Sequence, residues 1–310
     1  MFERLDSRFR GNDESQRFLT FELVSVSAVA EEFVLNVADV DIAGKRWRNG
    51  DRRVFALHGW LDNAASFDII APLLNADVIA LDLAGHGLSY HRTPQASYNI
   101  WEDLPDIIRV ADALQWQSFD LIGHSRGAIV ATLLATALPE RVNSSVLLDG
   151  LRPPPVALED FAPQLGRHLR EHLAPQRESS AYDSIEQAIK VRCRATDMSE
   201  ASAALIVQRG LLQTGNDWHW RHDPRLRFPS AVMMSQPHID AVLNQFAQMP
   251  HRVFFADSAG GAVLKERGEL ERWSQLLNFE MLSGRHHFHM EESALLLAET
   301  TNTFWFGLNR

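Results

Sequence analysis

The segment FDLIGHSRGAIVATLLATALP, residues 119–139, places a serine between two glycines, where one apolar run ends and another begins. Gly123, Ser125 and Gly127 match the pattern G-x-S-x-G between a predicted strand and a predicted helix. The missing glycine side chains let strand and helix approach closely, and the turn exposes the serine hydroxyl above the helix N-terminus. We therefore predict that Ser125 is a nucleophile. The alternative is a glycine-rich turn in some other α/β protein.

Short apolar runs alternate with helical patterns through most of the chain. The runs are RRVFALHG (52–59), ADVIALDLAGHG (76–87), SFDLIGHS (118–125), VNSSVLLDG (142–150) and HRVFFADS (251–258). Helical patterns follow the first three: ASFDIIAPLLN, NIWEDLPDIIRVADALQ and RGAIVATLLATALP. This alternation predicts an α/β fold with a mostly parallel sheet and helices on both faces. EEFVLNVADVDIAGKRW predicts a hairpin before it.

The alternation stops after Asp149 and resumes at His251. Helical patterns fill the interval, clearest in ESSAYDSIEQAIKVRCRA and SEASAALIVQRGLLQ, each with a serine near its start that can cap it. NDWHWRHDPRLRFPS is polar and aromatic and looks irregular. We predict a core of residues 21–149 and 249–310, with residues 150–248 inserted as a helical cap. We expect residues 1–20 to be a disordered tail, or to precede the true start.

Composition excludes several classes of partner. The net charge of −10 argues against nucleic-acid and anionic-membrane partners, which need clustered cations. A single cysteine, Cys193, excludes a disulfide framework, and no apolar run is long enough for a membrane span. The stretch FLTFELVSVSAVA imitates a signal peptide but contains Glu22, so we expect a cytoplasmic protein. Phosphate-binding glycine patterns are absent, and no metal or organic cofactor is implied.

An acyl-transfer nucleophile needs donors for a developing oxyanion. The backbone N–H of Arg126, directly after the serine, is one candidate. The loop LHGWLDN after an earlier strand offers the N–H of Trp60 as the second. We expect His58 to be a structural hydrogen-bonding residue, and Asp82 and His86 to hold the loop LDLAGHGLS in shape.

The motifs HGW, LDLAGHGLS and GHSRG, in that order, resemble the α/β-hydrolase superfamily over most of the chain from about Val54 onward. LIVQRG, HWRHDPRLR and GRHHFHMEE are similar to its serine hydrolase-like branch, which is close in pattern to haloalkane dehalogenases and small esterases. The resemblance implies an α/β-hydrolase fold with a cap and a catalytic triad.

The resemblance places the general base in the late loop SGRHHFHMEES. The pattern H-x-x-H-[LM]-E puts His286 at the catalytic position. His287 is the alternative, because Arg285 stands where a glycine is common. If these histidines have no catalytic role, they form a surface histidine cluster or an adventitious metal site.

The resemblance also implies an acid that orients the histidine, and two aspartates fit. Most of the superfamily carries the acid after the strand RVFFADS, which points to Asp257, although Ser258 stands where the acid is often found. Many haloalkane dehalogenases carry it at the end of the strand after the nucleophile helix, which points to Asp149. We favour Asp149 and keep Asp257 as the alternative.

A serine nucleophile predicts acyl transfer to water, with a carboxylic ester of small or medium apolar groups as the substrate. It argues against dehalogenases and epoxide hydrolases, which need a carboxylate nucleophile. A ligand-binding or interaction protein of the same fold is the alternative, and C–C bond hydrolysis or perhydrolysis would use the same triad.

Three side chains of the predicted cap are candidates for the substrate pocket: Trp218, Trp220 and Arg221. Each aromatic alone is more often a core residue. The Arg126 side chain either pairs with an acid under the cap or favours an anionic substrate. The oligomeric state is not determined by these patterns.

Overall fold

A computed structural model describes residues 29–174, 181–266 and 268–308 of the 310-residue chain. The predicted N-terminal tail, residues 1–20, lies outside the described residues. The strands are β1 (Glu31–Val37), β2 (Val40–Arg48), β3 (Arg53–Leu57), β4 (Asp77–Leu81), β5 (Phe119–His124), β6 (Val142–Leu148), β7 (Ala181–Tyr182), β8 (Leu211–Thr214), β9 (Asp217–Trp220), β10 (His251–Ala256) and β11 (Phe279–Leu282). The helices are α1 (Asp103–Ala113), α2 (Arg126–Ala137), α3 (Phe161–Leu173), α4 (Ile185–Thr196), α5 (Glu200–Gly210), α6 (Gln236–Phe246), α7 (Gly260–Glu266), α8 (Leu270–Leu276) and α9 (Ala294–Leu308).

An eight-stranded sheet forms the centre of the fold, in the order β1-β2-β4-β3-β5-β6-β10-β11. From β4 to β11 every neighbouring pair is parallel, and only β2 runs antiparallel to its two neighbours. The predicted hairpin is β1 and β2. The predicted α/β class with a mostly parallel sheet is confirmed.

Alternate residues of the parallel strands supply a core on each face of the sheet. Phe55 and Leu57 of β3 belong to a cluster that includes α1, α2 and α6. Val54 and Ala56 belong to a second cluster, which includes α9. Helices therefore cover both faces, as a parallel sheet requires. Among the residues described, no helix is both long enough and apolar enough to cross a membrane.

The helix predicted over ASFDIIAPLLN does not form. Two 3₁₀ turns, Ala64–Phe67 and Ala71–Leu73, stand in its place. Pro72 has no N–H to donate and disfavours a helical conformation at the residue before it, so one continuous helix is broken there.

Between β6 and β10 the chain forms helices and a small antiparallel sheet, β7-β9-β8. Ser184 and Ser199 cap α4 and α5, as predicted. The prediction that NDWHWRHDPRLRFPS is irregular was wrong at its start, because β9 lies there. Trp218 and Trp220 are two residues apart and pack on one cluster, the period of a strand.

The loops that carry the predicted site residues follow the carboxyl ends of adjacent strands. Loop 58–63 follows β3, Ser125 follows β5, Asp149 follows β6, and the loop with His286 follows β11. Since these strands are parallel, their carboxyl ends lie along one edge of the sheet.

Gly127 lies where α2 presses against the end of β3. A Cβ there would lie 1.9 Å from the carbonyl oxygen of Leu57, a distance no packed structure tolerates. We expect Gly127→Ala to lower the free energy of unfolding by about 3 kcal/mol or more, measured by urea denaturation. Gly307→Ala in α9 is the control, because a Cβ there meets nothing within 4 Å. A mild effect of Gly127→Ala, equal to that of the control, would contradict this contact.

Candidate active site

Ser125 stands in a strained turn between β5 and α2. Its φ of 52° and ψ of −115° are rare for a residue with a side chain. A Cβ on Gly123 would lie 2.4 Å from the carbonyl oxygen of Gly127, so the pattern G-x-S-x-G is what lets the turn close. The Ser125 N–H donates to Leu148 O at 2.8 Å, which fastens the turn to the end of β6.

Ser125, His286 and Asp149 form one hydrogen-bonded chain. The Ser125 Oγ lies 2.9 Å from His286 Nε2, and His286 Nδ1 bonds Asp149 Oδ2. With the proton on Nδ1 donated to the carboxylate, Nε2 is free to accept from the serine hydroxyl. This is the arrangement of a serine nucleophile, its base and an orienting acid. The His286 side chain is 38% exposed, so the hydrogen-bonded chain reaches solvent at the histidine.

Backbone donors hold the Asp149 carboxylate in place. Its Oδ1 accepts from the N–H groups of Ala256 at 3.0 Å and Gly260 at 3.1 Å. A Cβ on Gly260 would lie 2.4 Å from Oδ1, so a glycine allows this approach. Backbone groups at and after the end of β10 thus hold the Asp149 carboxylate.

The two alternative residues lie elsewhere. Asp257 Oδ1 accepts from Gly284 N–H at 3.2 Å, and no bond joins it to His286 among the residues described. His287 is buried, and its Nε2 lies 3.2 Å from Asp62 Oδ2. The geometry therefore joins Asp149 and His286 to Ser125, and it does not bring Asp257 or His287 to the serine.

Side-chain hydrogen bonds hold the loops that follow β3 and β4 in shape. His58 donates from Nδ1 to Gly59 O at 2.7 Å, and its Nε2 accepts from Leu83 N–H at 3.0 Å. His86 Nε2 accepts from Leu61 N–H at 3.3 Å. Asp82 accepts from the N–H groups of Ala64 and Leu88. These bonds confirm the structural roles expected for His58, Asp82 and His86.

The predicted oxyanion donors, Trp60 and Arg126, lie in the loop after β3 and at the start of α2. As the first residue of α2, Arg126 has an N–H without an intrahelical acceptor. Trp60 is 49% exposed, and its Nε1 donates to Leu226 O in the segment between β6 and β10.

The Arg126 side chain pairs with an acid. Its Nη1 lies 2.6 Å from Oδ2 of Asp103, a buried residue at the start of α1. Burial raises the pKa of Asp103, and Arg126 opposes that shift. The guanidinium thus forms an ion pair with a buried carboxylate. Pairing with an acid was one of the two alternatives for Arg126, and favouring an anionic substrate was the other.

A second polar cluster, which no sequence pattern predicted, lies beside the chain of Ser125, His286 and Asp149. Asp62, His124 and His287 are buried, and their ligand-type atoms lie within 4.8 Å of one another, close enough for a metal ion. Arg192 of α4, however, forms an ion pair with Asp62 Oδ1. Burial would raise the pKa of Asp62, but His287 and Arg192 hold it well below its usual range. A guanidinium already in place makes this set a better hydrogen-bonded network than a cation site. Asp62 lies in the motif LHGWLDN, and His124 lies in GHSRG. Their position in these motifs was the sequence signal that could have identified them.

The predicted pocket residues lie in and beside the small sheet. Trp218 and Trp220 pack in the cluster around Tyr182 and Val207, and Trp220 Nε1 donates to the Tyr182 hydroxyl. Arg221 donates to Leu211 O and lines an open cavity of about 570 Å³. The residues that line this cavity do not include Ser125, His286 or Asp149. The structure does not bring Trp218, Trp220 or Arg221 to the serine through any contact among the described residues.

His124 makes stability depend on pH. Burial lowers its pKa from 6.5 to about 4, although Asp62 pulls the other way. Between these values the unfolded chain binds more protons, so the free energy of unfolding falls as the pH falls. The contribution of neutral His124 to the free energy of unfolding is fully present above pH 6.5. At the lower limit of this window, about pH 4, we expect the protonation of His124 alone to have lowered the free energy of unfolding by about 3 kcal/mol.

Urea denaturation of wild type and His124→Gln from neutral pH down to about pH 4 measures this dependence. The glutamine keeps an N–H donor near Nε2 but does not titrate, so its curve should be shallower. Identical slopes for the two proteins would show that His124 is not held neutral by the fold.

Comparisons with known proteins agree with this fold. Residues 52–171 match the family model described as alpha/beta hydrolase fold. A serine hydrolase-like protein of Dictyostelium discoideum is 29% identical over 284 residues, covering 82% of this chain and 76% of that protein. An esterase of Mycobacterium tuberculosis is 28% identical over 191 residues, covering 59% of this chain and 60% of that protein.

Among solved structures, a hypothetical protein of Pseudomonas aeruginosa is 36% identical with a TM-score of 0.84, covering 89% of this chain and 99% of that one. The match therefore extends over both the sheet and the segment between β6 and β10. The chain belongs to the α/β-hydrolase fold family, and it is similar to proteins named serine hydrolase-like.

Proposed function

We propose that the protein is a serine hydrolase that cleaves carboxylic esters through an acyl-enzyme. The observation that carries the proposal is the hydrogen-bonded chain from Ser125 through His286 to Asp149. The fold, together with esterase and serine hydrolase-like relatives, supports a hydrolase.

In the first step, Ser125 Oγ attacks the ester carbonyl carbon and gives its proton to His286 Nε2, 2.9 Å away. Asp149 stabilises the resulting imidazolium through Nδ1. The carbonyl oxygen becomes an oxyanion, and we assign its donors to the backbone N–H groups of Trp60 and Arg126.

Collapse of the tetrahedral intermediate breaks the bond to the alcohol oxygen. His286 returns the proton to that oxygen, and the alcohol leaves an acyl group on Ser125. Water then attacks the acyl carbon while His286 takes its proton, and the second collapse releases the acid and restores Ser125. No metal ion or organic cofactor is needed in these steps.

We propose that residues 150–248 act as a cap over this site. Contacts with the loop after β3 support the assignment, because Trp60 bonds Leu226 and Asn63 donates to Ile206 O at 2.8 Å. The half-exposed Trp60 indole offers an apolar wall, which suits a small or medium apolar ester. A single free cysteine fits a cytoplasmic location.

Fluorophosphonate labelling followed by intact mass tests the nucleophile. We expect one adduct on wild type and none on Ser125→Ala, because only an activated serine attacks phosphorus at a useful rate. Ester hydrolysis should fall to the background in the same variant. Folded wild type that neither labels nor turns over esters would contradict the proposal and favour a ligand-binding protein of this fold.

The two candidate acids can be separated with isosteric amides. Asp149→Asn should lower ester kcat by about 10³-fold or more, because an amide cannot fix the His286 tautomer or stabilise its cation. Asp257→Asn is the matched control. Its amide oxygen can still accept from Gly284 N–H, so the rate should stay close to wild type. Equal losses in the two variants would remove the special role of Asp149.

A further inference from the structure

The buried carboxylate of Asp62 joins four separate segments of the chain. It lies in the loop after β3, and its two oxygens face Arg192 of α4 on one side and two histidines on the other. His124 is the residue before Ser125, and His287 is the residue after His286. One side chain thus reaches the neighbours of both the serine and the histidine of the site.

His124 holds the backbone of His286. Its Nε2–H donates to the His286 carbonyl oxygen at 2.8 Å. The residue before Ser125 therefore fixes the backbone of the loop that contains His286. Its Nδ1 has no hydrogen-bond partner in the described part of the chain and lies 3.6 Å from Asp62 Oδ2. That distance is too long for a hydrogen bond, and a neutral His124 that donates from Nε2 has no proton on Nδ1, so the two side chains are in packing contact only.

His287 and Arg192 complete the connection. His287 Nε2 lies 3.2 Å from Asp62 Oδ2, which fixes the chain just after His286. Arg192 pairs with Asp62 Oδ1 and also donates from Nη1 to Leu61 O at 3.2 Å. The side chains of this ion pair are only 9% and 1% exposed, so neither charge has water as a substitute partner.

We propose that Asp62 is a positioning residue for the Ser125–His286 pair, and that Arg192 makes this positioning depend on how helix α4 is seated. The inference rests on the proposed serine hydrolase function. When Arg192 is withdrawn, Asp62 loses its counter-charge, the His287 and His124 contacts change, and the His286 ring shifts relative to Ser125 Oγ. Cap seating thereby sets the reactivity of the serine.

A second ion pair provides a matched control. Arg209 of α5 pairs with Asp82 in the loop after β4, and the side chains are 7% and 0% exposed. It too joins the segment between β6 and β10 to a core loop, with the same burial. Among the described residues its side-chain partners are Asp82 and Glu32, and neither is a histidine of the site.

The test compares Asp62→Asn, Arg192→Met and Arg209→Met in the full chain, each checked for folding by thermal denaturation. We expect the first two to lower the fluorophosphonate labelling rate and ester kcat by about 10- to 100-fold, with KM little changed, because a small misplacement of the base is costly. The Asp62→Asn/Arg192→Met double variant should be no slower than the slower single, since both act through one interaction. Arg192→Lys should recover part of the rate. Arg209→Met should label like wild type.

Proton NMR gives a readout independent of turnover. The proton between His286 Nδ1 and Asp149 should resonate far downfield, and its signal should shift or broaden in Asp62→Asn but not in Arg209→Met.

Folded Asp62→Asn and Arg192→Met proteins that label at the wild-type rate and keep the NMR signal would overturn the inference. So would an equal loss in Arg209→Met, which would indicate general loosening. One equivalent of transition metal in wild type, lost in Asp62→Asn, would assign a metal site instead. If wild type itself never labels, the proposed function fails, and the NMR comparison still decides the positioning role.

Discussion

The close approach of three backbone segments around Ser125 is the constraint on which the site depends. A Cβ on Gly127 would lie 1.9 Å from Leu57 O, and a Cβ on Gly150 would lie 2.3 Å from Ser125 O. Only glycines permit these contacts between α2, β3 and the end of β6. The contacts in turn hold Ser125 at φ 52°, a conformation that costs about 1–3 kcal/mol and persists only where its surroundings enforce it.

The same edge of the sheet explains why the carboxylate that bonds His286 follows β6. Asp149 also has a positive φ, 46°, and its N–H donates to Phe254 O of the neighbouring strand β10. The carboxylate therefore crosses toward β10 and accepts backbone N–H groups there. Asp257, one residue past β10, instead bonds the backbone at Gly284. Two aspartates at adjacent strand ends thus take different structural positions.

Much of this arrangement follows from local sequence patterns. Near-continuous apolar runs predicted the parallel strands, and the G-x-S-x-G turn placed Ser125, because both signals are confined to a few neighbouring residues. The Asp62 cluster could not be found this way. Its members lie at positions 62, 124, 192 and 287, and only the folded chain brings them together. Trp218 and Trp220 show the converse: their alternation was visible, but their packing against Tyr182 depends on β7, which is only two residues long.

In the proposed mechanism, Ser125 carries an acyl group during turnover. Rapid quenching of the enzyme with a chromogenic ester, followed by intact mass and peptide mapping, tests it most directly. We predict an added acyl mass on the peptide that contains Ser125, formed and lost at rates that account for kcat. Turnover without any adduct, or an adduct on another residue, would contradict the account.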